Sequence, residues 1–403
     1  MLIRSSLFLL GAAYASASNL FITDYDGHLT SVKLSSESSG AYQLNKNIAY
    51  GECGANPTWS TVDIGRGVLY CLDEGFANDD AGALTSFSIE RDGQLVKVRH
   101  FDGLNAPVSA VIVGEPTEQQ ALVSANYGGE GGGSVSYFNL QCNGDFTFNE
   151  EIKFKHTLQP GQDEERQAAS HPHQAIVDPT GQYVLVPDLG MDLVHIFGWD
   201  FTNHKLKQLK SLEVLEGTGP RHAAFWNPSG VACETCPTYF YLVSELAGTV
   251  TSYQVSYLHN GGGLTFKQVQ ISRTTGPHFV KQRTAPAEIV ISPDNRFLIV
   301  SNRNDSSTYT SIPPPIPGGG FQSDSLATFE LLPDGNLNWR QLWPAGGSFP
   351  RQFSLNKLGN LVAVGLQYTK RVVIYSRDVA TGLIGEPVAH LDRLGNVTSV
   401  VWA

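Results

Sequence analysis

A proline-led unit recurs six times along the chain, and no other feature limits the fold as strongly. The prolines are Pro57, Pro107, Pro172, Pro220, Pro286 and Pro350, spaced 50, 65, 48, 66 and 64 residues apart. Each begins a short segment that passes through a turn into an apolar strand and then into a strand of alternating pattern. The clearest copies run from Pro172 through Tyr183–Pro187 to Leu193–Phe197, and from Pro286 through Phe297–Asn302 to Leu326–Phe329. Periods of this length suit propeller blades of four short strands with loop insertions. Six prolines give six units, and the chain ends supply a seventh. Leu20–Thr23 and Leu29–Leu34 read as the later strands of a unit that lacks its beginning, and Val397–Trp402 reads as that beginning. The expected fold is all-β, a seven-bladed β-propeller over residues 18–403 whose ring is closed by N- and C-terminal strands in one blade. Closure of this kind removes open sheet edges.

Composition agrees with short strands and tight turns. The 403 residues include 41 Gly and 10% aromatics, but only 16% charged residues, too few for a long helical bundle. The 27 Lys and Arg against 38 Asp and Glu give a net charge of −11, which leaves no basic face for nucleic acid. Residues 1–17 carry Arg4, the apolar run Leu7–Ala13 and a small-residue exit at Ala15–Ala17, the pattern of a secretory signal peptide. No later stretch is long and apolar enough for a membrane span. A secreted, extracellular protein, monomeric and without a membrane partner, is expected. Secretion permits disulfides. Cys233 and Cys236 suit a local staple, Cys53 and Cys71 are a candidate second bridge, and Cys142 is left odd. Asn304-Asp305-Ser306 and Asn396-Val397-Thr398 are glycosylation sequons.

In a propeller, polar groups at the same phase of several repeats converge on the central channel. That phase holds His171-Pro172-His173, Pro220-Arg221-His222, Ser244-Glu245, Pro286-Ala287-Glu288, Asn302-Arg303, Pro350-Arg351 and Gln367. Arg221, Arg303 and Arg351 together would grip a carboxylate or a polarised carbonyl through planar, bidentate donors. Their alternative use is to tie blades together, with Asp188, Asp192, Asp294 and Asp305 as partners. Glu245 ends an apolar strand, where a carboxylate needs a cationic partner or a catalytic task. Asp178, Asp294 and Asp334 read as turn formers. There is no G-x-S-x-G elbow and no P-loop, and the Gly-rich stretch 127–133 opens no helix. The same positions are poor in the oxygens a calcium site needs, so no metal and no cofactor are expected.

At these residues the sequence resembles the lactonase family of seven-bladed propellers, which holds bacterial 6-phosphogluconolactonases and fungal carboxy-cis,cis-muconate cyclases. The most specific segments are His171–Gln174 through Val186–Gly190, Gly219–His222, Ser244–Leu246, Ser301–Arg303 and Pro350–Phe353. The resemblance implies a catalytic set of His173, Arg221, Glu245 and Arg303, with Asn126, Tyr127, His171, Arg351 and Gln367 lining the substrate pocket. It also implies a small-molecule lactone substrate. Two departures are the export signal and the cysteine-bearing insertion at 231–238 before the Glu245 strand. The expected activity is extracellular hydrolysis of aldonolactones such as glucono-lactone or cellobiono-lactone, with His173 or Glu245 as general base. Carboxymuconate cyclisation is the alternative, and a non-catalytic binding propeller, in which the His, Arg and Glu close into interblade salt bridges, is the third.

Overall fold

The computed structural model describes residues 18–36, 41–76, 81–116, 119–129, 131–159, 161–231, 233–278, 280, 284–313 and 321–403. The expected signal peptide at 1–17 and residues 314–320 of the Pro/Gly tract lie outside them. Seven antiparallel blade sheets follow one another, and a small two-stranded sheet, Thr308–Tyr309 with Gln322–Ser323, stands apart from them. Blade 2 is Pro57–Asp63, Val68–Asp73, Gly82–Ile89 and Leu95–Leu104; blade 3 is Pro107–Val113, Ala121–Gly129, Gly132–Leu140 and Phe146–Lys153. Blade 4 opens with a bridge at Pro172 and continues through Ile176–Val177, Tyr183–Asp188, Leu193–Asp200 and Lys205–Gln208. Blade 5 is Pro220–Trp226, Thr238–Ser244, Thr249–Tyr257 and Leu264–Arg273. Blade 6 is Ala285–Ile291, Phe297–Arg303, Ser325–Leu331 and Leu337–Pro344, and blade 7 is Pro350–Leu355, Leu361–Leu366, Arg371–Arg377 and Ile384–Leu391. Blade 1 joins Val397–Trp402 to Ser18–Asp24, His28–Ser36 and Tyr42–Tyr50. The ring closes through strands from the two ends of the chain, as the complementary half-units require.

Strand composition follows position in the blade. Second strands such as Val68–Asp73, Tyr183–Asp188 and Leu361–Leu366 are buried at every residue, because a neighbouring blade covers each face. They therefore read as unbroken apolar runs. Outer strands such as Leu95–Leu104 are largely exposed and mix Lys97, Arg99, His100 and Asp102 with their apolar residues. The apolar core is correspondingly divided into interblade layers. Val123, Val135 and Tyr137 of blade 3 pack on Val184, Phe197 and Trp199 of blade 4, and Tyr241 and Val243 of blade 5 pack on Leu298, Val300 and Phe329 of blade 6. First strands of neighbouring blades touch around most of the ring, and between blades 4 and 5 Gln174 Oε1 accepts the N–H of Ala223, so they line the axis.

Both expected disulfides are present, Cys53–Cys71 and Cys233–Cys236, and Cys142 is free and exposed. Asp178 and Asp334 accept backbone N–H bonds within their own turns, as their sequence context predicts. The aspartates offered as partners for the arginines behave otherwise. Asp188, Asp192 and Asp305 spend their oxygens on backbone N–H groups and uncharged or imidazole side chains, and only Asp294 meets arginines, Arg377 and Arg296.

Candidate active site

All seven first strands share one irregularity. Beside each leading proline the pairing with the second strand slips by one residue. In blade 1 the same slip falls at Thr398. A bulge bends the strand and re-aims a side chain. The extra residue is Thr58 in blade 2, Arg221 in blade 5 and Arg351 in blade 7, with His173 in the corresponding stretch of blade 4. A second position repeats just past the second-strand residue that pairs with the proline. It carries Glu74 in blade 2, Tyr127 in blade 3, Glu245 in blade 5, Arg303 in blade 6 and Gln367 in blade 7. Two repeat phases thus supply most of the polar groups at one mouth of the channel.

Glu245 is the centre of this group and is only 4% exposed. Its Oε1 accepts a 2.9 Å hydrogen bond from Arg166 Nη2. Its Oε2 lies 2.9 Å from Arg221 Nε and 2.6 Å from Arg303 Nη2. These last two are ion-pair contacts in which the N–H bonds do not point along the contact, and Arg221 Nε and Nη1 and Arg303 Nη2 have no hydrogen-bond acceptor among the described residues. Arg221 is 1% exposed, so its unmatched donors are buried. Arg303 is fixed by Nε donating to Ala285 O at 3.0 Å and by the Phe349 ring beneath its guanidinium at 4.8 Å. Burial alone would raise the Glu245 pKa, but Arg303, Arg221 and Arg166 outweigh it and hold the carboxyl at about 2. Burial and the charge of Arg303 push Arg221 down to about 9, so it is still a cation at neutral pH.

Arg351 stands in an adjoining cluster rather than on Glu245. Its Nη2 donates to Thr58 Oγ1 at 3.2 Å and lies 3.6 Å from Glu74 Oε2, and its guanidinium sits 4.9 Å above the Tyr25 ring. The Tyr25 hydroxyl in turn donates to Glu74. Tyr127 stacks on His171 with ring centres 4.2 Å apart and meets His173 edge-on at 5.7 Å. His173 is buried, and desolvation together with Arg221, His222, Arg351 and Arg303 lowers its pKa well below 6.5. The imidazole is therefore neutral at pH 7. One layer deeper, Trp59 of blade 2 reaches across the channel to contact His222 of blade 5 edge-on, with ring centres 5.9 Å apart. The two rings thus meet across the axis at that level.

Of the residues expected from sequence, His173, Arg221, Glu245, Arg303, Arg351, Tyr127 and His171 gather at this mouth. Gln367 joins them from blade 7, its backbone N–H bonded to Phe349 O and its buried side-chain oxygen unmatched. Asn126 does not. It is one residue short of the repeating position, so the pleat turns it away, and Ser124, Ser134 and Ser136 of its own blade take both ends of its amide. Sequence reasoning missed Arg166, which comes from an irregular loop outside the repeat. It also missed Glu74, although Glu74 shares the phase of Glu245. Among the described residues no group of three or more His, Cys, Asp or Glu is arranged to hold a metal ion.

A seven-bladed ring whose bulged strands gather arginines around one buried carboxylate defines a propeller with a small-molecule site on its axis. Residues 19–402 match the family described as Lactonase, 7-bladed beta-propeller, and the chain belongs to that family. A protein of Arthroderma benhamiae named "Probable 6-phosphogluconolactonase" is 32% identical over 331 residues, covering 82% of this chain and 76% of its own. The 6-phosphogluconolactonase of Bacillus subtilis is 25% identical over 331 residues, covering 81% and 82%. Among solved structures, the periplasmic gluconolactonase PpgL of Pseudomonas aeruginosa superposes with a TM-score of 0.76 at 21% identity, covering 96% of this chain and 99% of its own. That likeness speaks for the fold.

Proposed function

We propose that this protein is an extracellular lactonase that hydrolyses aldonolactones, such as glucono-lactone or cellobiono-lactone, to the aldonic acid. One observation carries the reading: Arg221 Nη1 is a buried guanidinium donor with no acceptor among the described residues, Arg303 stands next to it, and His173 beside both is a neutral imidazole. Hydrolysis of a lactone needs both. A base takes a proton from water as its oxygen attacks the carbonyl, and donors already in place receive the negative charge that develops on the carbonyl oxygen. His173 is the base in this scheme. Glu245 is unsuited to it, because three arginines hold it ionised with a pKa near 2. Its work is to fix the guanidiniums. Tyr127, His171, Arg351 and Gln367 bind the sugar part.

The expected signal peptide and the two disulfides support an oxidising, extracellular setting. The named relatives would act on a phosphorylated lactone, whereas an exported enzyme meets neutral ones. Initial rates with glucono-lactone and with its 6-phosphate, followed by base uptake in a pH-stat, test the proposal. We expect a higher kcat/KM for the neutral lactone. Turnover no faster than buffer with both would overturn the activity, and a preference for the phosphate would overturn the extracellular aldonolactone assignment.

Carboxymuconate cyclisation is favoured by a different observation, the four guanidiniums of Arg166, Arg221, Arg303 and Arg351 within one mouth, since these suit a substrate with several carboxylates. The same preparation assayed with carboxymuconate separates the two activities. A protein inactive on every substrate would fit the binding propeller.

A further inference from the structure

His173 has a second connection, on the side away from the arginines. Its Nδ1 lies 3.2 Å from His222 Nε2, and His222 Nδ1 lies 3.0 Å from Glu288 Oε1. The three side chains come from blades 4, 5 and 6, and none is more than 7% exposed. Glu288 is itself fixed, since its Oε1 also accepts the N–H of Ile289 at 3.0 Å and its own N–H donates to Ser301 Oγ at 3.0 Å. Neither His222 nor Glu288 reaches Glu245 or the arginines by hydrogen bond.

The direction of the chain follows from its end. A carboxylate only accepts, so His222 Nδ1 carries the hydrogen of that bond. Burial lowers the His222 pKa against the pull of Glu288, which leaves the ring neutral and its Nε2 an acceptor. His173 Nδ1 must then donate, and the lone pair of His173 sits on Nε2, which has no partner among the described residues. We propose that His222 and Glu288 are positioning residues that lock His173 in the Nδ1–H tautomer and carry away the charge it gains as a base. The proposal rests on the lactonase reading only for the second half, since the tautomer is a property of the resting protein.

A relay is needed because His173 stands among cations and neutral rings. The groups that face His173 are Arg221, Arg303 and Arg351, the His222 ring and the Tyr127 ring. None of them is negative, so an imidazolium at His173 has no counter-ion in contact. When Nε2 takes the water proton, the Nδ1 proton can pass to His222 Nε2. One N–H bond forms and one breaks on His173, the water O–H breaks, and one N–H forms on His222. The positive charge then rests on His222, 3.0 Å from the Glu288 carboxylate, and returns by the same route when the ring-opened alkoxide is protonated. Glu288 Oε2 has no hydrogen-bond partner among the described residues, and Glu288 lines a cavity of about 600 Å³ at the opposite end of the axis, walled by Trp59, Ile176, Phe225 and Phe353. The relay thus runs from the arginine mouth towards the far mouth.

Two measurements test this. In 15N-detected NMR of histidine-labelled wild type at pH 7, the His173 resonance, assigned by its loss in His173→Gln, should show a protonated Nδ1 and a bare Nε2. A protonated Nε2 on neutral His173 overturns the proposal whatever the protein hydrolyses. In kinetics on glucono-lactone, Glu288→Gln and His222→Gln should lower kcat by about 10–100-fold with KM within about twofold of wild type, and with unchanged circular dichroism. His222→Gln keeps an acceptor for His173 Nδ1 but cannot pass a proton, so it should retain the wild-type tautomer and still lose rate. Wild-type kcat in either folded variant overturns the relay. Absence of wild-type activity would count against the proposed function and overturn the charge-carrying half, leaving the tautomer to the NMR result.

Discussion

At the scale of single residues, Glu245 decides how the site behaves. It is ionised, buried and surrounded by Arg221, Arg303 and Arg166, so removing its charge leaves three guanidiniums in mutual repulsion. Loss of one partner from a buried ion pair costs about 3–5 kcal/mol. Glu245→Gln should lower the unfolding free energy by about that amount at pH 7, measured by urea denaturation, and should abolish most activity. The pH dependence has a definite sign. Because the folded-state pKa of about 2 lies below the ordinary 4.5, the stabilisation is complete above pH 4.5 and is lost as the pH falls towards 2. The difference in stability between wild type and Glu245→Gln should therefore shrink steadily over that window, and a constant difference would contradict the assignment. For His173, burial and the nearby guanidiniums disfavour the charged form. The acid limb of the kcat/KM profile should accordingly lie below pH 6.5, and a limb at or above 6.5 would remove His173 from the role of base.

At the scale of elements, the prolines do more than mark the repeat. Each of two leading prolines sits against a glycine at the start of the third strand of the preceding blade, the first residue in blade 2 and the second in blade 3. A Cβ on Gly82 would stand 2.3 Å from Pro107 Cδ, and one on Gly133 would stand 2.2 Å from Pro172 Cδ. Neither contact tolerates a methyl group without movement of the strand, at a cost of about 1–3 kcal/mol. The two glycines differ in what lies behind them. Pro107 leads to Val108, whereas Pro172 leads to His173. Gly82→Ala and Gly133→Ala should thus lower the melting temperature by similar amounts, while only Gly133→Ala lowers kcat. Equal loss of kcat in both would show that the effect is not local to the His173 strand. The same elements explain what sequence could and could not reveal. Strand identity and closure were legible because buried second strands are apolar throughout and the half-units at the ends complement each other. His173, Arg221, Glu245 and Arg303 were legible because they keep step with the prolines. Asn126 was misplaced by one residue, which in a pleated strand is the difference between the axis and the blade interior. Arg166 follows no repeat, being held by a loop in which Asp163 Oδ1 accepts its N–H. The relay through His222 and Glu288 lay inside marked segments, but its direction depends on distances across three blades.

At the scale of the whole molecule, the net charge of −11 and the arginine-lined mouth divide the electrostatics between outside and axis. The ring keeps that division only while it is closed. Val397 and Val400 are fully buried, and Thr398 Oγ1 donates to Pro57 O at 2.7 Å while meeting Thr23 Oγ1 at 2.8 Å. Deleting residues 397–403 removes none of His173, Arg221, Glu245 or Arg303. It nonetheless strips two buried valines, worth about 3–6 kcal/mol, and uncovers the edge of Ser18–Asp24. The shortened protein should elute as expanded or aggregated species in size-exclusion chromatography and should lack lactonase activity. A compact, active monomer would mean that closure is dispensable.

The strand that completes blade 1 lies after every other strand in the chain, and its partner lies before them. A ribosome releases the N-terminal partner early and the closing strand late, so the growing polypeptide spends its synthesis without the strand that closes the ring. Every product cut short upstream of Val397, whether by a premature stop or by a protease, lacks the piece that brings the blades into register. If the shortened protein is inactive as expected, ring closure doubles as proofreading, and chemistry begins only on chains copied through to that strand.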